Sequence, residues 1–114
     1  MKIRIKGNSL RYRLTKSDVK QLSENSYVEE VINFGNTTLT YVLQRSATDS
    51  FASNFINNKI TVYMPDAMVE EWTTTDIVGF DGKHNELYLL IEKDFMCLDA
   101  VAEDQSDNYP NPSI

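Results

Sequence analysis

Apolar and polar positions alternate strictly at the start of the chain. Ile3 and Ile5 alternate with Lys2, Arg4 and Lys6, and Leu10, Tyr12 and Leu14 alternate with Arg11 and Arg13. A period of two is the signature of a half-buried strand, and the Gly7-Asn8-Ser9 cluster between the runs is turn chemistry. The pattern therefore predicts a hairpin over residues 2–14. With Gly7-Asn8 as a two-residue loop, Ile5 faces Leu10 and Ile3 faces Tyr12, while Arg4 faces Arg11 and Lys2 faces Arg13. Like charges directly opposite one another are unfavourable. That side must therefore be covered by acidic side chains or by an anion, or the two strands are not direct neighbours.

Period two then gives way to helical spacing. Thr15-Lys16-Ser17-Asp18 has the form of a capping box, with Asp where Glu is usual. Val19 and Leu22 share one face of a short helix over about 16–23. Strands follow over Tyr27–Phe34 and Thr38–Gln44, joined at Gly35-Asn36. The Ser/Asn/Thr-rich stretch 46–58 reads as a connection pinned by Phe51 and Phe55. Lys59–Met64 is a strand, and Pro65 suits the first turn of a second helix with Met68, Val69 and Trp72 inward. Ile77–Phe80 and Leu87–Ile91 are strands around a turn at 81–85. Residues 99–114 are acidic and Pro-containing and read as an irregular tail after a single domain over 1–98.

The two halves echo each other. At an offset of 50, Leu10, Tyr12 and Leu14 correspond to Ile60, Val62 and Met64, and Val19 and Leu22 to Val69 and Trp72. At an offset of 48, Leu39, Tyr41 and Leu43 correspond to Leu87, Leu89 and Ile91. Units over about 10–45 and 60–93 are each too small to bury an adequate core, and two facing units are not. The expected fold is α+β: mainly antiparallel strands in a small barrel or bent sheet, two short helices, and a pseudo-twofold duplication.

Pro65, Met68, Trp72, Asp76, Val78, Phe80, Gly82, Leu87, Leu89 and Ile91 resemble the AbrB-type swapped-hairpin unit over residues 59–93, with Thr75 where that family has Gly. The first half fits less well, lacking both the Pro and the Gly-Asp pair. The resemblance implies interlocked units in one small barrel and, as one functional reading, a DNA-binding regulator. Across nearly the whole chain, IKGNSLRYRLTKSDV, Asn33-Phe34-Gly35 and IEKDFMCLDA…ED…DNYPNP resemble an uncharacterised bacterial family of short proteins. That likeness implies no catalytic role, and it implies that the tail belongs to the folded unit.

Charge sharpens the picture. The chain of 114 residues carries −6, yet residues 1–20 hold Lys2, Arg4, Lys6, Arg11, Arg13, Lys16 and Lys20 against Asp18 alone. Arginine forks suit phosphate and carboxylate. Lys2, Arg4, Lys6, Arg11 and Arg13 are thus the candidate anion- or partner-binding residues, for an acidic protein patch, a phosphate or nucleic acid. The bland alternative is that the acidic remainder neutralises them within the domain.

Catalytic chemistry finds little footing. Cys97 would need His84 as its base, and His84 sits in the predicted polar turn, so a structural thiol is the favoured reading. Asp94, Asp99, Glu103, Asp104 and Asp107 lack EF-hand spacing. Glu29-Glu30 and Glu70-Glu71 are adjacent and diverge on a strand or helix. There is no dinucleotide, Walker or nucleophile-elbow motif. Asn36-Thr37-Thr38 is a glycosylation sequon by letter only. No catalytic residue, cofactor or metal is expected. With no apolar run of bilayer length and no signal-like N-terminus, the expected address is the cytoplasm. The leading expectation is a non-enzymatic binding or interaction module; the alternatives are the DNA-binding regulator and an enzyme of unknown chemistry.

Overall fold

The computed structural model describes residues 1–95 and 105–110. The first hairpin forms as β1 (Lys2–Lys6) and β2 (Ser9–Leu14), in the register read from the alternation: Ile3 opposite Tyr12, Ile5 opposite Leu10, Arg4 opposite Arg11 and Lys2 opposite Arg13. Gly7 takes φ +54°, the left-handed first position that such a tight turn requires.

Helix α1 (Lys16–Asn25) starts at a reciprocal cap. The Asp18 N–H donates to Thr15 Oγ1 at 3.3 Å, and the Thr15 N–H donates to Asp18 Oδ2 at 3.1 Å. Two orphan donors of the first turn are thereby satisfied. Val19 and Leu22 are buried. The helix runs two residues past the expected end and stops at Ser26, which takes φ +75°. The next hairpin is β3 (Tyr27–Asn33) and β4 (Thr38–Ser46).

The stretch expected as a connection contains a strand instead. β5 (Ala52–Ile56) pairs antiparallel with β6 (Lys59–Pro65). The turn between them is Asn57-Asn58, both at positive φ, a conformation Asn tolerates better than other residues with a side chain. Phe51 is buried at 4 % exposure, whereas Phe55 is 66 % exposed and pins nothing. The pleat puts Phe55 on the same face as its partner Ile60, but on an edge strand at the open end of the core, where it lines a shallow hollow with Ile5 and Leu87.

Helix α2 (Asp66–Thr74) follows Pro65 and buries Val69 and Trp72. The Trp72 indole N–H donates to the Val78 carbonyl at 2.9 Å, so its polar edge is satisfied inside the core. β7 (Gly79–His84) and β8 (Leu87–Lys93) complete the chain of elements. The expected turn at 81–85 is mostly strand, and the reversal falls at Asn85-Glu86. Gly82 makes this workable: a Cβ there would come within 2.9 Å of the Phe51 ring. The bare backbone lets that ring lie across β7.

The strands form two four-stranded mixed sheets, ordered β1-β2-β8-β7 and β3-β4-β6-β5, where the sequence pattern suggested one barrel or bent sheet. Each hairpin is antiparallel, and the central pairs β2–β8 and β4–β6 are parallel. Each sheet thus draws one hairpin from each half of the chain. Adding 50 to β2 and subtracting 48 from β8 carries one central ladder onto the other. Leu10–Leu89, Tyr12–Ile91 and Leu14–Lys93 become Ile60–Tyr41, Val62–Leu43 and Met64–Arg45. The inner faces and the two helices share one core, including Leu10, Tyr12, Leu14, Leu43, Val62, Met64, Trp72, Leu89 and Ile91. Truncating one of the large members to Ala costs about 2–5 kcal/mol in comparable cores.

Residues 105–110 pack on this framework. The Tyr109 N–H donates to the Asp94 carbonyl at 2.8 Å, and the Lys16 N–H donates to the Asp107 carbonyl at 3.0 Å. Asp107 Oδ1 also accepts from the Ser17 hydroxyl at 3.1 Å. Among the described residues no helix is long and apolar enough to cross a membrane.

Candidate anion-binding face

The pleat places Lys2, Arg4 and Lys6 on one side of β1, and the antiparallel register sets Arg13, Arg11 and Ser9 beside them on β2. The parallel β8 then adds Glu92 beside Arg13, Leu90 beside Arg11 and Tyr88 beside Ser9. β7 closes the rows with Lys83 next to Tyr88 and Asp81 next to Leu90. All five candidate cations therefore share one outward sheet face, and Lys83 from the far half joins them.

Neutralisation across this face is uneven. Glu92 Oε1 accepts from the Arg13 Nε–H at 2.8 Å and lies 3.6 Å from Arg11 Nε. Lys2 Nζ lies 3.2 Å from Oδ2 of buried Asp94. Among the described residues neither Arg4 nor Lys6 has a side-chain hydrogen bond or ion pair. With Ser9 and Arg11 they line a depression of about 150 Å³. A second depression of about 150 Å³ runs between Lys2, Ile3, Arg4, Arg11 and Arg13. The like-charge pair Arg4–Arg11 is thus only half relieved: Glu92 serves the Arg11 side and leaves Arg4 alone.

Tyr88 was not among the residues singled out from sequence. Its ring is 36 % exposed on the same face, and its hydroxyl donates to Asp81 Oδ2 at 2.6 Å. That bond to a carboxylate is the chief reason its phenol is held above its ordinary pKa, with Arg11 acting in the opposite direction. Period-two alternation in β8 marked Tyr88 as outward; only the parallel pairing of β2 with β8 brings it to the arginines.

The remaining candidates disperse. His84 is not in a solvated turn. It ends β7, and its Nδ1 accepts from the Ser53 N–H at 3.0 Å, so β5 fixes the ring. Cys97, Asp99, Glu103 and Asp104 lie outside the described residues. Asp94 turns to Lys2 and Asp107 to the first turn of α1, where hydrogen bonds from Thr15 and Ser17 hold its carboxyl below the usual range. Glu30 meets the Met1 ammonium at 3.1 Å while Glu29 lies 3.9 Å from Lys59, so that pair diverges as its strand dictates. Glu70 accepts from Arg45 at 2.6 Å. Among the described residues no group of three His, Cys, Asp or Glu side chains is arranged to hold a metal ion.

The model of the family of unknown function DUF7009 matches residues 1–113. The chain belongs to the DUF7009 family. Neither the search of curated proteins nor that of solved structures finds a match. Membership covers both hairpins of the basic sheet and the packed segment 105–110 together, and supplies no activity for them.

Proposed function

We propose that this DUF7009 chain is a binding module whose basic sheet face receives an anionic partner, with Arg4, Lys6 and Arg11 as the contacting cations and Lys2 and Arg13 at the margin. One observation carries the reading. The chain's own carboxylates take up Arg13 and Lys2, yet Arg4 and Lys6 are bonded to nothing among the described residues beside a depression of anion size. Setting Arg4 opposite Arg11, with Glu92 relieving the Arg11 side alone, costs stability unless a ligand uses the pair. The test is anisotropy of labelled polyglutamate and of a labelled single-stranded oligonucleotide, at low and moderate salt. Binding of either, weakened by Arg4→Gln with Lys6→Gln, supports the module. No binding at low salt, or affinity unchanged in the double variant, removes it.

The DNA-binding reading of AbrB kind draws on Tyr88, an exposed aromatic beside Ser9 in the row next to Arg11, because bases stack on such side chains and phosphates pair with the guanidinium. It predicts that oligonucleotide binding falls steeply with salt as counterions are released. Preference for polyglutamate over the oligonucleotide decides against it.

We infer further that the chain is an internal duplication interlocked in the manner of a swapped-hairpin barrel. The coincidence of the two parallel ladders supports it, and so does a further match: Ile5 opposite Leu10 maps onto Phe55 opposite Ile60. An experimental structure in which residues 2–46 fail to superpose on 52–93 would end this inference.

A further inference from the structure

At the opposite end of the fold from the β1–β2 turn, the end of β8 carries a buried cation. Lys93 is only 7 % exposed. Its ammonium donates to the Thr75 carbonyl at 2.9 Å and lies 5.3 Å from the centre of the Tyr109 ring. Among the described residues no carboxylate pairs with it. A lysine ammonium has three donors, and a carbonyl and a ring face leave it short of compensation for lost hydration. Burial accordingly pulls its pKa below the ordinary value, against an opposing effect from Asp76.

The correspondence of the ladders shows what is missing. The residue equivalent to Lys93 is Arg45, whose guanidinium donates to Asp66 Oδ1 at 2.7 Å, to Glu70 Oε1 at 2.6 Å and to the Ser23 carbonyl at 3.1 Å. Moved by the helix offset of 50, Asp66 and Glu70 fall on Lys16 and Lys20. One end therefore has a cation with two carboxylates, and the other has a cation where the two acids are replaced by lysines. Lys16 and Lys20 line a hollow of about 300 Å³ that shares Thr73 and Tyr109 with the cleft at Lys93. The nearby tail acid, Asp107, is bonded to Ser17 and does not fill the gap.

That cleft has a volume of about 370 Å³, and its walls include Trp72, Phe95, Tyr109 and Lys93. This is the small end of the range for small-molecule sites, and the walls combine apolar and aromatic side chains with a few polar groups, among them the opposite charges Lys93 and Asp76. We propose that the cleft binds a small monocarboxylate with an aromatic or compact apolar body, its carboxylate on Lys93 and its body against Phe95 and Tyr109, with buried Trp72 directly behind them. Only the Lys93 side of the cleft favours a negative charge. Asp76 also lines it, so a second charge on the ligand would meet repulsion rather than a partner. The site is separate from the basic sheet face and stands whether or not that face binds anything.

Trp72 is the only tryptophan of the chain and lines the cleft, so its fluorescence reads occupancy. The experiment titrates the full chain with benzoate and with benzamide, which has the same shape without the charge, and repeats the benzoate titration on Lys93→Met. The expected result is a saturable change with benzoate, affinity for benzamide weaker by about tenfold or more, equivalent to ~1.4 kcal/mol, and loss of the benzoate response in Lys93→Met. No saturable change at millimolar benzoate, equal affinity for benzamide, or undiminished benzoate binding by Lys93→Met overturns the proposal. Should Lys93→Met fail to fold, the comparison of the two ligands on the unaltered chain decides alone.

Discussion

Tyr12 is wholly buried, and among the described residues its hydroxyl has no hydrogen-bond partner. The side chain sits in the central ladder of the first sheet, opposite Ile91, with the Tyr41 ring 5.9 Å away and tilted by 56°. Replacing it by Phe keeps the ring and removes a hydroxyl that lost water without gaining a partner. An unsatisfied buried hydroxyl costs about 1–3 kcal/mol. The void left behind is no larger than a water site, roughly 10–15 Å³, and at ~24 cal/mol per Å³ it costs about 0.3 kcal/mol. Tyr12→Phe should therefore be more stable than the unaltered chain by about 0.7–2.7 kcal/mol, which raises Tm by about 4 °C per kcal/mol at this size. Urea unfolding followed by circular dichroism at neutral pH measures it, with the midpoint moving up and the denaturant slope unchanged.

The same group makes an alkaline signature. Burial first, and then Tyr41, push the Tyr12 phenol well above its ordinary pKa, with the Val42 backbone easing the ionised form without reaching hydrogen-bond geometry to the hydroxyl. The folded chain holds this proton more tightly than the unfolded chain. Its contribution is complete below about pH 10 and is lost as the pH climbs above it, at up to ~1.4 kcal/mol per pH unit. Tyr12→Phe lacks that loss, so its advantage should widen above pH 10. A variant less stable than the parent by 1 kcal/mol or more, roughly the net worth of one hydrogen bond, would refute the reasoning and show that the hydroxyl is bonded in solution.

Two further outcomes follow from the ionic contacts. Glu92→Gln removes the carboxylate that serves Arg13 and Arg11; it should raise affinity for polyglutamate or an oligonucleotide and steepen the salt dependence, read by the same anisotropy titration. Asp107→Ala removes the acceptor at the first turn of α1, whose carboxyl is held below its usual range chiefly by Thr15. A depressed carboxylate stabilises above its unfolded pKa and loses that effect as the pH falls through the folded one. The variant should therefore be less stable at pH 7, with the gap closing below about pH 4, as urea midpoints at both pH values will show.

Local signals were legible in the chain and non-local ones were not. The first hairpin was readable to its register because alternation and a Gly turn both act within a dozen residues. The helices were readable from the Thr15 cap, from Pro65 and from apolar residues three apart. β5 was hidden because Ser53, Asn54 and Asn57 look like loop, and its strand character comes from pairing with β6. β7 was hidden because Asp81-Gly82-Lys83 is turn chemistry by composition. Its backbone is held by β8, with Gly82 under Phe51 and Asp81 bonded to Tyr88. The five cations of the candidate face were readable, but their partners were not. Glu92 lies 79 residues beyond Arg13 and reaches it only through a parallel pairing that no local pattern encodes.

The charge segregation along the chain and the pairing of the sheets together limit what kind of encounter the basic face can support. At physiological salt, fields decay over about 8 Å. A partner approaching from farther away meets the whole molecule, which carries −6, and gains no attraction from the face. Within that distance it meets Lys6, Arg4 and Arg11, with Glu92 already engaged by Arg13. The face is therefore suited to contact recognition and not to long-range capture. Association with an anionic partner should proceed at the unsteered rate of about 10⁵–10⁶ M⁻¹ s⁻¹. Salt should act mainly on dissociation, because the contacts it weakens form only after the two surfaces meet. Stopped-flow measurement at two salt concentrations separates the two rates. An association rate that climbs steeply as salt is removed would mean that the acidic remainder does not offset the basic face at a distance, contrary to the net charge.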